Sequence, residues 1–174
     1  MSDAEKPIEG IDAAVDAWWE RALRGKPAVD RLMYSVSEAA NHSRIWHALG
    51  AAQAVARRNH RAAAELSISL LAEAVLVNGV IKTAFGRRRP VFAGNRPHAL
   101  RQPLTSSFPS GHASAAMVAA SLLSRRSPWA PAYYALGLVV ALSRIHVRIH
   151  HASDVAAGIG TGAVLGAVAR RLWR

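Results

Sequence analysis

The sequence predicts an all-α fold: an integral-membrane helical bundle of about five core helices, preceded by an N-terminal amphipathic helical region. Three observations carry that expectation. No segment shows the period-two alternation of a strand, whereas five Ala-rich stretches, about 43–57, 61–85, 111–124, 129–147 and 153–172, read as helices. Gly158, Gly162 and Gly166 form a double Gly-xxx-Gly; each glycine would cost about 1 kcal/mol in a soluble helix, but in a bilayer the pattern lets helices pack closely. Trp129 and Trp173 stand beside Arg125-Arg126 and Arg170-Arg171, the pairing expected where a helix leaves hydrocarbon for headgroups. No run reaches about 18 consecutive apolar residues, so hydropathy alone does not identify a span, and an Ala-rich soluble bundle is the competing architecture.

Taken in chain order, the opening residues MSDAEKPIEGIDAAV are acidic and lack both a basic n-region and an apolar h-region, so they do not read as a secretory signal. Over residues 8–24, Ile8, Ile11, Val15, Trp18, Trp19 and Leu23 recur at helical spacing, with Asp12, Asp16, Glu20 and Arg24 on the other side. That amphipathic helix stops at Gly25-Lys26-Pro27, and a second runs roughly from 28 to 40. Its apolar side is as compatible with packing on the bundle as with lying in a membrane interface. The chain therefore divides into an N-terminal amphipathic region, 1–40, and a membrane-embedded core, 41–174. Between the helices at 61–85 and 111–124 lies a long loop, 86–110, holding four of the eight prolines; loops of this length are more often functional than filler.

Composition narrows the chemistry. With 174 residues, 51% hydrophobic and 19% charged, the chain suits one domain with a real core. The absence of cysteine excludes disulfides, thiolate catalysis and thiolate-bound metals. The net charge of +11 points to an anionic partner, and it is unevenly placed. Residues 1–38 sum to −3, the remainder to +14, and beyond residue 38 the only carboxylates are Glu65, Glu73 and Asp154.

Three clusters carry the candidate site. Lys82 and Arg89 flank the end of the second apolar helix, where Pro90 limits its continuation, and can converge on one anion. Pro109-Ser110-Gly111-His112 opens the next helix, whose free N–H groups favour an anion, with Gly111 allowing close approach and Ser110 offering a hydroxyl. In the stretch from Ser143-Arg144 to Asp154, His150 and Asp154 stand four apart, so one helical turn would bring the carboxylate to the imidazole and fix its tautomer.

In this order and spacing the clusters resemble the signature of the type 2 phosphatidic acid phosphatase family, which includes bacterial nonspecific acid phosphatases and vanadium haloperoxidases. The resemblance covers residues 82 to 154 directly. It implies a phosphoric monoester hydrolase in which His150 attacks phosphorus to form a phosphohistidine and Asp154 orients its ring. Lys82, Arg89, Ser110, Gly111 and Arg144 would hold the phosphoryl oxygens, while His112 protonates the leaving oxygen and then deprotonates water. No cofactor and no metal are implied.

Other residues receive lesser readings. His146, His150 and Asp154 at i, i+4 and i+8 could hold a metal, but Arg144 and Arg148 would repel a cation. His151 reads as a neighbour of the site, and His42, His47, His60 and His98 as helix-end or loop residues. Arg87 and Arg88 could extend the anion cradle or meet headgroups; Glu65 and Glu73 share a face and would bond within the bundle. A lipid phosphate is the leading substrate class. The Ala/Arg-rich composition resembles that of short family members from GC-rich bacteria, and this resemblance implies a polyprenyl phosphate or diphosphate, with phosphatidate and phosphatidylglycerophosphate as alternatives. A noncatalytic binder of anionic lipid or nucleic acid is the rival class, but the basic residues cap apolar segments and form no continuous stripe, which argues against nucleic acid. The basic turns at Arg57-Arg58, Arg125-Arg126 and Arg170-Arg171 lie at the end away from the site, so the positive-inside rule puts the site on the extracytoplasmic face of a bacterial cell membrane. Basic residues at the site end leave the opposite orientation open, and the sequence is silent on oligomeric state.

Overall fold

The computed structural model describes residues 5–92, 94, 96–101, 105–125 and 127–174. Arg126 of the predicted basic turn and part of the 86–110 loop lie outside the described residues. Seven helices occupy the described residues, with no strand among them: α1 (Glu5–Ala22), α2 (Pro27–Ala39), α3 (Arg44–Arg57), α4 (His60–Ala84), α5 (Gly111–Leu123), α6 (Ala130–His146) and α7 (Ala152–Leu172). A 3₁₀ turn, Asn41–Ser43, joins α2 to α3. Local chemistry explains the boundaries. Pro27 opens α2 with its preset φ, and left-handed Arg58 (φ 50°) ends α3. Asn59 then caps α4 by accepting from the Ala62 N–H at 3.2 Å.

The bundle is built around α5. Apolar or small on every side, this helix is buried at all positions from Ala113 to Leu123, and it packs against α7, α6, α4 and α3. The closest approach is to α7, and the glycine ladder explains it. A Cβ on Gly158 would collide with the Ser110 carbonyl oxygen, one on Gly162 with the Ser114 carbonyl oxygen, and one on Gly166 would come within 2.8 Å of the Ser121 Cβ. The three glycines therefore form the seam along which α7 lies against the α5 backbone.

Helix α4 contains a π-helical stretch, Val75–Ile81, just before Lys82. In an unbroken α-helix, positions nine apart lie about 180° round the axis from each other. Yet Glu73 and Lys82 are both buried. The wider π turn takes up an extra residue and rotates the residues beyond it, so the acidic side of α4 and its terminal lysine both face the bundle. At the other end of α4, Glu65 accepts from Arg61 at 2.8 Å and Arg125 at 2.7 Å, as expected for an acid bonded within the bundle.

Two helices, α4 and α7, are long and apolar enough to cross a membrane. Their outward sides present Ile68, Leu71, Val75, Val80, Val164 and Leu172, a surface that suits hydrocarbon and would be costly in water. Extraction should therefore require detergent or lipid; a monodisperse, folded protein recovered without either would contradict the membrane architecture. The tryptophans divide. Trp129 is exposed as a headgroup-level residue should be, but Trp173 packs on the core and donates to Ser69 Oγ at 2.9 Å.

The N-terminal helices depart from the simple amphipathic expectation. α1 leaves Ile8, Ile11 and Trp18 exposed and buries Asp12 and Trp19. Asp12 turns inward because the core it meets is basic: Arg87 pairs with it at 2.7 Å, while Arg148 pairs with the more exposed Glu20. Arg24, its side chain 8% exposed, donates to the Ile145 carbonyl at 2.7 Å and the His146 carbonyl at 3.0 Å. The uneven charge of the sequence is thus partly an intramolecular complementarity.

Candidate active site

The three predicted clusters meet at one end of the bundle, where α4 and α6 finish and α5 and α7 begin. Lys82 arrives from α4 just after the π turn and is buried. Gly111, the first residue of α5, leaves it room: a Cβ there would stand 3.6 Å from Lys82 Nζ and 3.1 Å from Asn78 Oδ1. Ser110 is the N-cap of α5, its hydroxyl accepting from the Ala113 N–H at 3.5 Å, so its oxygen is partly used in capping while its hydrogen is left for another acceptor.

Arg144, in the last turn of α6, has no exposed surface. Its Nη1 donates to Ser37 Oγ of α2, whereas its Nε and Nη2 have no hydrogen-bond partner among the described residues. A buried guanidinium with two unmatched donor nitrogens is a large unmet electrostatic demand. Arg89 comes from the loop. Carbonyl oxygens of Thr105 and Ser106 (3.0 and 3.1 Å) and of Ile149 (3.1 Å) hold it, and its Nη1 lies 3.1 Å from His150 Nε2. One nitrogen of the candidate nucleophile therefore faces a fixed cation.

His150 and Asp154 come together, but not as consecutive turns of one helix. The helix is interrupted around them: α6 ends at His146, Arg148 takes a left-handed φ of 53°, and α7 starts only at Ala152. Asp154 is the third residue of α7 and reaches back to accept from the N-cap His151 N–H at 2.9 Å. That backward reach leaves its Oδ2 at 3.7 Å from His150 Nδ1, beyond hydrogen-bond distance, and Nδ1 has no partner among the described residues. Burial dominates the His150 titration and, with Arg144 and Arg89 adding to it and Asp154 opposing it, pushes the imidazole down to about 3. At neutral pH the ring is uncharged, as a nucleophile must be.

Asp154 itself is held by a residue whose role the sequence left undecided. Arg87 Nη1 donates to Asp154 Oδ1 at 2.6 Å and to Ser153 Oγ at 2.7 Å, and Nη2 donates to Asp12 Oδ2 at 2.7 Å. Asp12 also accepts from the Ser153 N–H at 2.8 Å and from the Ser153 hydroxyl at 2.7 Å. Burial by itself would raise the Asp12 carboxyl, but the bonds from Ser153 and Arg87 outweigh it and hold the group below its usual range. Arg87 is thus a strut between α1 and the start of α7, not part of an open cradle. Arg88 gives its carbonyl to Ser107 Oγ at 3.1 Å.

The metal spacing His146, His150, Asp154 does not survive the same interruption. His146 faces the N-terminal helices, accepting from Trp19 Nε1 at 3.0 Å through Nδ1 and meeting Asp30 Oδ1 at 2.8 Å through Nε2. Among the described residues no cluster of three or more His, Asp or Glu could hold a metal ion. Of the other histidines, His47 lies 3.0 Å from Ser67 Oγ, His98 packs edge-on to Tyr34, and His42 lies 3.2 Å from Arg101 Nη1.

His112, the second residue of α5, places Nε2 at 3.0 Å from Asn41 Oδ1, and Asn41 in turn donates from Nδ2 to Glu38 Oε2 at 3.0 Å. Ser37, Glu38 and Asn41 are the site-end residues that sequence reasoning missed. No periodicity or motif marks them, and the one available hint was the crowding of acids into an N-terminal region ahead of a basic core.

Among protein families, the PAP2 superfamily model matches residues 62–174. A decaprenylphosphoryl-5-phosphoribose phosphatase from Mycolicibacterium smegmatis is 35% identical over 160 residues, covering 91% of this chain and 84% of that protein. A protein of the same name from Mycobacterium tuberculosis is 32% identical over 167 residues, covering 95% and 92%. Among solved structures, the transmembrane PAP2 type phosphatidylglycerolphosphate phosphatase from Bacillus subtilis superposes with a TM-score of 0.73 at 21% identity, covering 98% of this chain and 87% of that one. LpxE from Aquifex aeolicus superposes at 0.55 with 22% identity, covering 83% and 93%.

Proposed function

The chain belongs to the PAP2 superfamily and is a phosphatase, and from that premise we propose that it hydrolyses the phosphate monoester or diphosphate of a membrane lipid through a phosphohistidine, with a polyprenyl phosphate as the favoured substrate class. The observation that carries the reading is Arg144: a fully buried cation with unmatched donors, clustered with Lys82 and Arg89, while the Asp154 carboxylate is already bonded by Arg87. Only an anion with several acceptor oxygens meets that demand, and a phosphoryl group does.

In this mechanism the lone pair of His150 Nε2 forms a bond to phosphorus as the bond to the leaving oxygen breaks. Lys82, Arg89 and Arg144, with the Gly111 N–H and the Ser110 hydroxyl, stabilise the charge spread over the phosphoryl oxygens. His112 gives its proton to the leaving oxygen, then accepts one from the water that attacks the phosphohistidine. Phosphate leaves and His150 regains its lone pair. Asp154 acts from 3.7 Å, closing on Nδ1 as that nitrogen becomes positive.

The polyprenyl preference rests on the Mycolicibacterium smegmatis and Mycobacterium tuberculosis relatives, both decaprenylphosphoryl-5-phosphoribose phosphatases. A phosphatidylglycerophosphate preference is the second reading, favoured by the Bacillus subtilis structure. The basic residues at the far end, Arg57, Arg61, Arg125 and Arg170 among them, support an extracytoplasmic site by the positive-inside rule. The test is phosphate release in detergent from polyprenyl phosphates and diphosphates, phosphatidate and phosphatidylglycerophosphate, each with and without EDTA and vanadate. The expected result is the highest kcat/KM on a polyprenyl phosphate, turnover unchanged by EDTA, and competitive inhibition by vanadate, whose trigonal-bipyramidal form mimics the transition state. Release from none of these lipids would overturn the reading. Loss of turnover in EDTA that zinc or magnesium restores would overturn the metal-free mechanism.

A further inference from the structure

The general acid assigned to this site has a polar partner just past the end of α2, and that partner is informative. His112 Nε2 lies 3.0 Å from Asn41 Oδ1, and Asn41 Nδ2 lies 3.0 Å from Glu38 Oε2. A carboxylate can only accept, so the Asn41 amide must present its NH₂ to Glu38 and its oxygen to His112. An oxygen facing Nε2 requires a proton on Nε2. We infer that Glu38 and Asn41 are positioning residues that lock His112 in the Nε2-protonated form, so that Nδ1 is the nitrogen exchanging the catalytic proton. The inference rests on the role proposed above for His112.

The relay is anchored well enough to act as a lock. Asn41 is 4% exposed. The backbone turns sharply beside it, with His42 and Ser43 both left-handed at φ 55° and 58°. Arg44 bonds the Asn41 carbonyl from Nε at 3.2 Å and the Glu38 carbonyl from Nη2 at 2.8 Å. The other Glu38 carboxylate oxygen accepts the Arg101 N–H at 3.1 Å, which ties the relay to the loop that carries Arg89. The same helix end sends Ser37 to Arg144. Nδ1 gives its proton to the leaving oxygen from the imidazolium, whose Nε2–H the Asn41 oxygen stabilises, and takes one back from water as the neutral ring. Without the lock, a neutral ring carrying its single proton on Nδ1 could not accept from water.

The experiment measures phosphoenzyme formation by alkaline detergent quench, which preserves the acid-labile phosphohistidine, using a lipid phosphate, whose alkoxide needs protonation, and 4-nitrophenyl phosphate, whose leaving group needs little. Asn41→Leu should slow the lipid reaction about 100-fold, within the usual range for loss of general acid catalysis, with KM little changed and the nitrophenyl reaction slowed less than about 5-fold. Asn41→Asp should also be poor, since two carboxylates then face each other. The double variant Glu38→Gln/Asn41→Asp restores an oxygen to Nε2 with an amide donor behind it, and should recover the lipid rate to within about 10-fold of the parent. Equal slowing of both substrates by a folded Asn41→Leu protein would overturn the inference. So would a double variant no faster than Asn41→Asp, a comparison that stands even if Asn41→Leu does not fold. If His112→Ala itself slows both substrates equally, it is the role of His112 that has failed and not the relay.

Discussion

His150→Ala abolishes turnover and leaves no phosphoenzyme trapped by alkaline quench, whichever substrate is used. That is the expected result, with a loss of several orders of magnitude, because the neighbouring histidines are committed elsewhere. His146 is held by Trp19 and Asp30, His151 caps α7, and His112 meets Asn41. None can supply a lone pair from the position beside Arg89. His112→Ala should behave differently. With 4-nitrophenyl phosphate it still forms phosphoenzyme, and because the base that activates water is missing, the intermediate accumulates. Asp154→Asn should slow attack with little change in binding; its amide keeps one oxygen and so turns a donor toward either Arg87 or the His151 N–H, both of which now find an acceptor. Trapping with labelled substrate in the three variants decides the matter. A phosphoenzyme in His150→Ala, or its absence from His112→Ala alone, would exchange the two roles.

The largest effect on folding should come from the seam between α5 and α7. Gly162→Leu sets a side chain where the Ser114 carbonyl and the Met117 Cβ already stand. Overpacking costs about 1–3 kcal/mol even where side chains can yield, and here the obstacle is largely the α5 backbone. We expect no folded protein from detergent extracts, or a melting transition lowered by tens of degrees. Gly160 is the internal control: nothing lies within 4 Å of a Cβ there, so Gly160→Ala should be tolerated. A Gly162→Leu protein that melts with the parent would mean that α5 and α7 do not meet along this ladder.

Much of this architecture was legible in the sequence because the relevant signals are local. Gly25-Lys26-Pro27 and the Arg57 to Asn59 turn separate the helices where the chain says they should. The Gly158, Gly162 and Gly166 spacing foretells a close helix pair. The three clusters at Lys82, Ser110 and Arg144 converge because successive core helices alternate direction, which places the ends of α4 and α6 with the starts of α5 and α7. What was not legible depends on long-range partners. Asp12 sits among polar neighbours on an amphipathic helix, and only the position of Arg87 reveals it as a buried strut. Ser37, Glu38 and Asn41 belong to no motif, since their significance lies in reaching Arg144 and His112, more than 70 residues away. The 3.7 Å separation of His150 from Asp154 likewise depends on a helix interruption that a four-residue spacing conceals.

The π-helical stretch in α4 has a consequence for how this chain can change over evolutionary time. It works as a phase shifter inside one continuous rod. The turns before it take their angular setting from neighbouring helices and hydrocarbon, while Lys82 after it takes its own from the phosphoryl site. Loss of one residue between Val75 and Ile81 would let the stretch close to ordinary helix with Glu73 and Lys82 eight positions apart, about 80° round the axis, so the lysine would keep its place at the site. The segment thus tolerates the loss of one residue, whereas a change that turned Val75–Ile81 into ordinary helix with every residue kept would swing Lys82 by about 100°. An alignment with an uninterrupted helix that leaves out a one-residue gap here would carry the wrong side of the helix into the candidate site without any visible mismatch.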